Sequence, residues 1–381
     1  MAARIVSIGT AVPNTIIEQG DVRDLFAAQP GFDRRAARLV HAAFDAAAIQ
    51  RRYTVLEELG TPATDARTRS TDAHVSGIPG AGFLGADGIL RSPSTANRNA
   101  AYIEFAPELS ATAAGAAIAQ AQHADPQLDA ASITHIITAS CTGFFAPGPD
   151  FRLVRDLGLA PTTARIHIGY MGCAAALPAL RAAADICAAH PSAVVLVACT
   201  ELCSLHIRSD PDPQQIVAAS VFADGAASAI VTARSSEAPG LDLDSFGTSL
   251  TTEGEADMVW TIGDDGFKMT LSSEVPRIIG REILGVVPEP EAIDAWAVHP
   301  GGRSILDRVE AGLSLGPSAL DHSRKILREF GNMSSATVLF VLRDLLHDAE
   351  LGAGAKIAAL AFGPGLTVES AMLTKRLAVS R

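Results

Sequence analysis

A cysteine at the start of an apolar helix is the first residue whose setting suggests chemistry. Cys173 follows Gly172 and opens a segment rich in Ala and Leu. Unpaired backbone N–H groups and the helix dipole favour a thiolate at such a position, where a nucleophilic cysteine is activated. A small buried residue chosen for packing produces the same local pattern. Position alone therefore leaves both interpretations open.

A histidine that ends an apolar strand is the second candidate. His299 follows the apolar residues 296–298 and precedes Pro300, Gly301 and Gly302, a turn that frees the strand end for close approach by a ligand. Folds of the α/β class build their sites at the carboxyl ends of strands. A core histidine with satisfied hydrogen bonds is the alternative.

An asparagine completes a set of three polar groups. Asn332 precedes an apolar helix and, taken alone, would need no explanation beyond a helix cap. Cys, His and Asn at the ends of three elements are, however, the groups needed for thiolate attack and for stabilisation of a thioester or enolate oxyanion. The trio therefore predicts acyl transfer through Cys173.

The elements that must position these residues alternate along the chain. Helical patterns occur at residues 108–122, 150–157, 173–189, 275–287, 304–313 and 332–348. Apolar strand patterns occur at residues 133–140, 165–168, 193–199, 295–298 and 357–362. Short apolar strands between helices are typical of a mainly parallel sheet covered on both faces.

The two halves of the chain repeat one order of elements. In each half a chemically interesting residue, Cys173 or Asn332, begins a helix that leads directly into an apolar strand. An internal duplication would explain the echo, although any layered α/β protein can produce it. Ser, Glu, Pro and Gly collect at residues 235–242. We therefore predict an N-terminal half at 1–235 with the cysteine and a C-terminal half at 236–381 with the histidine and asparagine.

Composition excludes several classes of function. The 381 residues include 42 acidic and 30 basic side chains, a net charge of −12, with no basic cluster in the sequence, so we expect no nucleic-acid partner. We find no signal peptide and no run of 18 apolar residues, and we expect a cytoplasmic protein without membrane insertion. Five cysteines without metal-type spacing predict reduced thiols and no metal.

One nucleotide-binding pattern lacks its structural context. Residues 80–85 match the dinucleotide fingerprint formally, but Pro79 precedes them and Gly88 follows closely, where a strand and a helix are needed. Residues 60–99 are rich in Thr, Ser, Gly, Pro and Ala, which indicates a long irregular crossing. We expect no nicotinamide cofactor.

Several ordered segments carry a resemblance to a known family. They are Gly172-Cys173-Ala174, Val221-Phe222-Ala223-Asp224-Gly225-Ala226, Trp296-Ala297-Val298-His299-Pro300-Gly301-Gly302, Gly331-Asn332-Met333-Ser334-Ser335 and Phe362-Gly363-Pro364-Gly365-Leu366-Thr367-Val368-Glu369. They resemble the nucleophile, gatekeeper, histidine, asparagine and carboxyl-terminal loop segments of type III polyketide synthases, the relatives of plant chalcone synthase in the thiolase superfamily. The likeness extends over about residues 133–381.

The resemblance implies an α/β thiolase fold, with two duplicated halves in a five-layered αβαβα arrangement, and a homodimer. It implies an acyltransferase that uses an acyl-CoA starter and malonyl-CoA and needs no cofactor. Cys173 would carry the starter acyl group as a thioester, and His299 would support the thiolate in an ion pair. His299 and Asn332 would hold the malonyl thioester carbonyl, promote decarboxylation and stabilise the resulting enolate.

The resemblance also implies a substrate pocket. Phe222 falls on the family's gatekeeper phenylalanine, and the second gatekeeper falls on Met269, or on Phe267 if the alignment shifts by two residues. The residues that we predict to bind substrate are Thr142, Cys203, Phe222, Met269, Gly301, Gly302, Ser334, Gly363, Pro364 and Gly365.

Two departures from the plant pattern concern the CoA and the terminal loop. The basic cluster that holds the CoA phosphates in plant members is poorly matched, since Ala46-Ala47-Ala48 precedes Arg51-Arg52, and we assign no residue to that role. Ala361 replaces the first glycine of the carboxyl-terminal loop.

The pocket residues predict a medium or long fatty acyl starter. Met269 at the second gatekeeper position, with Cys203, Ala146 and Thr142 nearby, offers a flexible thioether that can give way to an alkyl chain. The opposing interpretation is a pocket narrowed for short starters by Phe267 and by Trp260.

The favoured function is therefore iterative decarboxylative condensation of malonyl-CoA, followed by cyclisation to an alkylpyrone, an alkylresorcinol or a similar product. The alternatives are a single-round ketoacyl synthase of the initiation type and a catalytically silent partner subunit. The loop segment at residues 363–369 argues against the first alternative, and the presence of all three chemical residues argues against the second.

Overall fold

The computed structural model describes residues 2–62, 73–75, 82–235, 238–287 and 289–377. The strands are β1 (Arg4–Pro13), β2 (Thr15–Glu18), β3 (Arg51–Thr54), β4 (Thr61–Pro62), β5 (Ala73–Val75), β6 (His135–Ser140), β7 (Ala164–Gly169), β8 (Val194–Leu202), β9 (Asp224–Thr232), β10 (Gly240–Leu250), β11 (Met258–Gly263), β12 (Gly266–Leu271), β13 (Ala295–Val298), β14 (Lys356–Gly363) and β15 (Thr367–Arg376). The α-helices are α1 (Gln19–Ala27), α2 (Arg34–Ala46), α3 (Thr95–Ala124), α4 (Pro149–Asp156), α5 (Ala176–Ala189), α6 (Pro213–Val221), α7 (Val275–Val286), α8 (Arg303–Gly312), α9 (Asp321–Phe330) and α10 (Thr337–His347).

The main sheet joins strands of both halves in the order β13-β14-β15-β10-β1-β9-β8-β6-β7, with β5 added beside β1. Pairing is parallel at its two ends, between β13 and β14 and among β7, β6 and β8, and antiparallel from β14 through to β8. The expectation of a mainly parallel sheet is therefore wrong. The link between β14 and β15 illustrates the reason, because it is too short for the crossover that parallel strands need.

Two helices form a central layer between the halves. Helix α5 packs against β8 and β9 on one side and against β15 and β10 on the other, while α10 contacts β1 and β9 as well as β13 and β14. Most of the α10 residues are buried, as expected for a helix enclosed on both sides. Helix α3 covers the outer face of the first half, and α7 and α8 pack together over the second. The five-layered α/β arrangement is confirmed.

The segment Gly172–Ala189 has the length and composition of a membrane span. It contains α5, and half of it is buried in the protein core. Core helices of globular domains pass the same test, and the position of α5 between two sheets accounts for its apolar sequence.

Helix α3 begins much earlier than its sequence pattern suggests. The predicted start is residue 108, whereas the helix starts at Thr95, where the Ser94 hydroxyl accepts a hydrogen bond from the Asn97 N–H at 3.3 Å. Its first turns bury Arg98 and Tyr102. Because these inward-facing residues are polar or carry a polar group, the apolar periodicity that predicts a helix is absent there. The expected irregular crossing is thus shorter than 60–99, and its residues 63–72 and 76–81, with part of the fingerprint match, lie outside the described residues.

Each central helix is preceded by one turn of 3₁₀ helix that positions a chemical residue. Gly172–Ala174 leads into α5 and Ser334–Ala336 leads into α10. The two turns are in contact with each other. The echo between the halves therefore brings Cys173 and Asn332 together in space, whereas the boundary predicted between residues 235 and 236 stays a prediction.

Candidate active site

Cys173 lies in the turn before α5 and is packed against the loop that joins β14 to β15. Gly172 has a φ of +60°, and a Cβ there would lie 2.6 Å from the Pro364 ring. A Cβ at Gly363 would lie 2.9 Å from the Met171 carbonyl oxygen. These contacts require glycine at both positions. The carboxyl-terminal loop therefore fixes the nucleophile turn.

His299 follows β13, where its backbone N–H donates to the Leu360 carbonyl at 2.7 Å and holds it at the end of the sheet. The residue is 1% exposed. Among the described residues, neither ring nitrogen has a hydrogen-bond partner. Burial lowers the pKa of His299 to about 3, which keeps the imidazole neutral, with one N–H available for a ligand. His299 is thus a buried donor without a partner in its own chain.

Asn332 is fixed by hydrogen bonds of both its backbone and its side chain. Its backbone pairs with the segment after α6: its N–H donates to the Val221 carbonyl at 2.8 Å, and its carbonyl accepts from Ala223 at 2.9 Å. Its Oδ1 accepts the Ser334 N–H at 2.8 Å, and its Nδ2 donates to the Gly301 carbonyl at 3.3 Å. The amide orientation is therefore fixed. It leaves the second Nδ2 hydrogen for a ligand.

The electrostatic setting of Cys173 differs from the expectation of a helix-stabilised thiolate. Its Sγ lies 3.9 Å from Asn332 Oδ1. Burial is the largest influence and raises the pKa of the Cys173 thiol to about 11, more than the nearby Ser334 and Asn332 side chains lower it. Desolvation thus outweighs the hydrogen bonds that favour the thiolate. Because the His299 nitrogens have no partner, the implied Cys173–His299 ion pair is not formed by a direct hydrogen bond.

The three side chains line an outer cavity of about 790 Å³ that opens to the surface. Gly301 and Gly302 lie on its wall beside His299 and Asn332. This volume falls in the range of cavities that take small organic ligands. The sequence-predicted trio is therefore assembled at one accessible site.

A smaller inner cavity of about 70 Å³ lies behind Cys173. Of the predicted substrate-binding residues, it is lined by Thr142, Cys203, Ser334 and Pro364. Four residues line both cavities and form the junction between them: Cys173, Phe222, Met258 and Met269. The gatekeeper prediction for Phe222 and Met269 agrees with this placement.

Other residues of the predicted pocket have different positions. Phe267 is buried deep in the inner wall and lines only the inner cavity. Met269, and not Phe267, therefore lies at the junction of the two cavities, which we call the gate. Gly363 and Gly365 shape the terminal loop and line neither cavity. Ala146 is exposed and also lies outside both cavities. Ala361 is fully buried within β14.

A buried carboxyl group that sequence reasoning missed organises the floor of the inner cavity. Glu201 accepts hydrogen bonds from the Cys141 N–H at 3.0 Å, the Thr142 hydroxyl at 2.8 Å and the Ser335 hydroxyl at 2.5 Å. Cys141 Sγ in turn lies 3.2 Å from Ser334 Oγ. Burial raises the pKa of Glu201, against the lowering effect of these donors. A lone Glu within the apolar strand β8 was the available sequence signal.

The inner wall contains Phe267 and Trp260, the two residues that the opposing interpretation of the sequence placed in the pocket, and it is held together by hydrogen bonds that the sequence did not reveal. His206 Nε2 lies 2.7 Å from the Thr142 carbonyl oxygen, and His206 Nδ1 accepts the Phe267 N–H at 3.1 Å. The His206 and Phe267 rings stack with centroids 4.1 Å apart, and Trp260 Nε1 donates to the Cys141 carbonyl at 2.6 Å. These bonds fasten the β11–β12 hairpin to the pocket floor, with both His206 nitrogens satisfied.

Arg52 is the second residue that sequence reasoning missed, and it supports the backbone of Phe222. Its Nη1 donates to the carbonyls of Ala219 at 2.8 Å and Phe222 at 2.6 Å. Burial lowers the pKa of Arg52 to about 10, which leaves it charged. It lies directly under the strand-like pairing between Phe222 and Asn332. The buried guanidinium therefore holds the backbone of Phe222, the residue that pairs with Asn332.

The arrangement suits acyl transfer with oxyanion stabilisation. A thiol, a neutral imidazole and an oriented amide face one cavity, and an apolar chamber continues behind them. Two neutral N–H donors are what a thioester oxygen needs as it gains charge. Within the described ranges, no group of three or more His, Cys, Asp or Glu side chains could hold a metal ion.

Comparison with known proteins agrees with this geometry. The family described as chalcone and stilbene synthases matches through its N-terminal domain at residues 88–235 and its C-terminal domain at residues 248–377. The alpha-pyrone synthesis polyketide synthase-like Pks18 of Mycobacterium tuberculosis is 35% identical over 253 residues, which cover 63% of this chain and 64% of that protein's length.

Two further relatives are matched over nearly their whole length. Type III polyketide synthase 21 of Oryza sativa is 32% identical over 97% of this chain and 93% of its own. The crystal structure of PKS-I from the brown alga Ectocarpus siliculosus superimposes with a TM-score of 0.85 at 28% identity and covers 98% of both chains. The chain therefore belongs to the chalcone and stilbene synthase family, the type III polyketide synthases.

Proposed function

We propose that this chain condenses malonyl-CoA repeatedly onto an acyl-CoA starter, with loss of carbon dioxide at each round, and that the product then cyclises. The observation that carries the proposal is the convergence of Cys173, His299 and Asn332 on the outer cavity, next to an apolar inner cavity. The reaction needs only CoA thioesters and no cofactor.

The residues divide the chemistry between them. Cys173 Sγ attacks the starter thioester carbonyl, and CoA leaves as its thiol. His299 and the free Asn332 N–H then bind the malonyl thioester oxygen, which gains charge as carbon dioxide departs. The resulting enolate carbon attacks the Cys173 thioester, forms a carbon–carbon bond and releases Cys173 as a thiolate, which takes up a proton from solvent or attacks the next thioester.

The proposal is tested by following the acyl-enzyme. Incubation with a radiolabelled acyl-CoA should label Cys173, and malonyl-CoA should then yield polyketide products visible by mass spectrometry. Cys173→Ala should accept no label, and Cys203→Ala, which removes a different buried thiol, should still be labelled. Label on Cys141 or Cys203 in the wild type would refute the assignment. Products from a single condensation only would favour a ketoacyl synthase.

We further propose a fatty acyl starter and an alkylpyrone or alkylresorcinol product. The inner cavity is lined largely by apolar side chains, and Met258 and Met269 at its entrance are unbranched and adaptable. At about 70 Å³ the cavity takes only a few carbons as it stands, so a longer chain must displace these methionines. The name of the Mycobacterium relative, an alpha-pyrone synthesis protein, is in keeping with a pyrone.

Chain length provides the test of the starter. Each buried methylene contributes about 0.8 kcal/mol, so kcat/KM should rise from acetyl-CoA through hexanoyl-CoA to lauroyl-CoA. Cys203→Phe should abolish the rise because its ring fills the inner cavity. Cys203→Ser, which keeps the size of the side chain, is the matched control and should keep the rise. A flat series in the wild type would support the opposing interpretation, in which Phe267 and Trp260 limit the pocket to short starters.

We propose a homodimer that assembles through β7, and a cytoplasmic location. β7 is an end strand of the main sheet, almost wholly exposed, and Ile166 on it is 43% exposed with Phe151 and Met171 exposed close by in sequence. Exposed apolar edge strands readily pair with a second chain. Ile166→Lys should convert a dimer into a monomer in light scattering. The five cysteines are unpaired, which suits a reducing compartment.

A further inference from the structure

The outer cavity has two chemically different walls near its opening. The α2 side contributes Ala43, Ala46 and Ala47, which offer no charge. A second wall is formed by α7 and α8 and contributes three arginines, Arg277, Arg303 and Arg308. These arginines are far apart in the sequence or separated by a helical turn, so they form a basic cluster only in the folded chain.

The local charge at this wall opposes the charge of the whole protein. The chain carries a net charge of −12, yet Asp307 is the one carboxylate among the described residues that line the cavity. Asp307 is shared, at 3.4 Å from Arg303 and 2.8 Å from Arg324.

The three arginines are only partly neutralised by their neighbours, since Arg303 shares Asp307 with Arg324. Arg277 pairs with the exposed Glu274 at 2.7 Å, a contact that solvent weakens. Arg308 belongs to none of the ion pairs found in the described part of the chain. The wall therefore presents excess positive charge to whatever enters the cavity.

We propose that Arg277, Arg303 and Arg308 bind the phosphate groups of the CoA thioester substrates, an inference that rests on the proposed function. A CoA ester carries a pyrophosphate and a 3′-phosphate at the end opposite its thioester. Guanidinium groups bind phosphate oxygens through paired, charge-assisted hydrogen bonds. With the thioester at Cys173, the phosphates must remain near the opening of the same cavity, where the arginines lie.

This assignment also accounts for the departure noted in the sequence. The α2 segment, poorly matched to the basic cluster of plant relatives, presents only alanines to the cavity. The α7–α8 wall supplies the missing charge from the C-terminal half. The nucleotide end of CoA therefore lies against α7 and α8 rather than against α2.

The test compares substrates with and without phosphates. Arg277→Gln, Arg303→Gln, Arg308→Gln and the triple variant are assayed with malonyl-CoA and with malonyl-pantetheine, which lacks the nucleotide. Each single change should raise the KM for malonyl-CoA about threefold, and the triple change about thirtyfold. The KM for malonyl-pantetheine should not change. Arg281→Gln on α7, whose partner is Glu253 outside the cavity, should behave as wild type.

Binding of free CoA gives a readout independent of turnover. Calorimetry should show the same loss for the triple variant, and 0.5 M NaCl should weaken CoA binding to the wild type but hardly to the triple variant. An unchanged affinity for CoA in the triple variant, or equal losses with both substrates, would overturn the assignment. In either case, turnover of malonyl-pantetheine by the wild-type enzyme would leave the proposed function standing. If the wild type turned over neither malonyl-CoA nor malonyl-pantetheine, the proposed function itself would be refuted.

Discussion

Two buried histidines, one lining the inner cavity and one lining the outer cavity, differ in what they bind. Burial lowers the pKa of both His206 and His299 to about 3. His206 has partners for both ring nitrogens and stacks on Phe267, whereas His299 has a partner for neither. A satisfied buried histidine holds a wall in place, because its bonds already use its donor and acceptor. An unsatisfied one that lines a cavity keeps its donor and acceptor free for a ligand.

The same substitution at the two positions should have opposite consequences, beginning with catalysis. His299→Leu removes a donor to the malonyl thioester oxygen and should lower the rate of malonyl-CoA decarboxylation by a factor of about 100 to 1,000. Its free energy of unfolding should stay within about 1 kcal/mol of wild type, because no hydrogen bond within the chain is lost. Decarboxylation is measured by carbon dioxide release and stability by urea unfolding. Full activity in His299→Leu would remove it from the mechanism.

Substitution of Asn332 has the next largest expected effect. It tests whether Asn332 and His299 act together as two hydrogen-bond donors to the malonyl thioester oxygen. Asn332→Ala removes the second donor and should slow decarboxylation about a hundredfold. Asn332→Asp is the matched variant, since it keeps the oxygen that accepts the Ser334 N–H but has no N–H to donate. Both variants should be slow. Activity retained by Asn332→Asp would show that Asn332 acts only by positioning the turn.

His206→Leu should affect stability rather than decarboxylation. It leaves the buried Thr142 carbonyl and Phe267 N–H without partners, and we expect a loss of about 2 kcal/mol in the free energy of unfolding. Decarboxylation of malonyl-CoA should fall less than threefold, while the distribution of product chain lengths shifts because the inner wall is loosened. A hundredfold loss of decarboxylation without a loss of stability would assign His206 a direct role on substrate.

Acid should reveal that the two histidines share one electrostatic property. The unfolded chain protonates each histidine near pH 6.5, but the folded chain does so only near pH 3. Between these values the unfolded state binds more protons, so stability is complete above about pH 6.5 and falls as the pH drops, by about 1.4 kcal/mol per pH unit for each histidine.

Replacement of either histidine by Leu should therefore make this acid slope shallower by the same amount, as measured by urea unfolding at pH 6.5, 6.0 and 5.5. An acid slope that His299→Leu leaves unchanged, while His206→Leu reduces it, would show instead that the folded protein protonates His299 within this pH range.

Local sequence was sufficient to predict the three catalytic candidates, the family, six of the α-helices and the five strands β6, β7, β8, β13 and β14. Cys173, His299 and Asn332 stand beside glycines and at element ends, and these features are local. Strands such as β13 and β14 are continuous apolar runs, since they are buried on both faces. Helix α3 was underestimated because its inward face uses Arg98 and Tyr102, whose burial depends on distant partners such as the Leu205 carbonyl.

Only the tertiary structure decided the pKa values of the site residues and the roles of the residues that support them. Burial is the largest influence on the pKa of Cys173, and it comes from the packing of the folded chain around the thiol. The roles of His206 and Arg52 come from backbone carbonyls more than 60 residues away in the sequence. Burial and long-range hydrogen bonds are properties of the folded chain, so no local pattern records them. The sequence determined which groups are available, and packing determined which of them face a ligand.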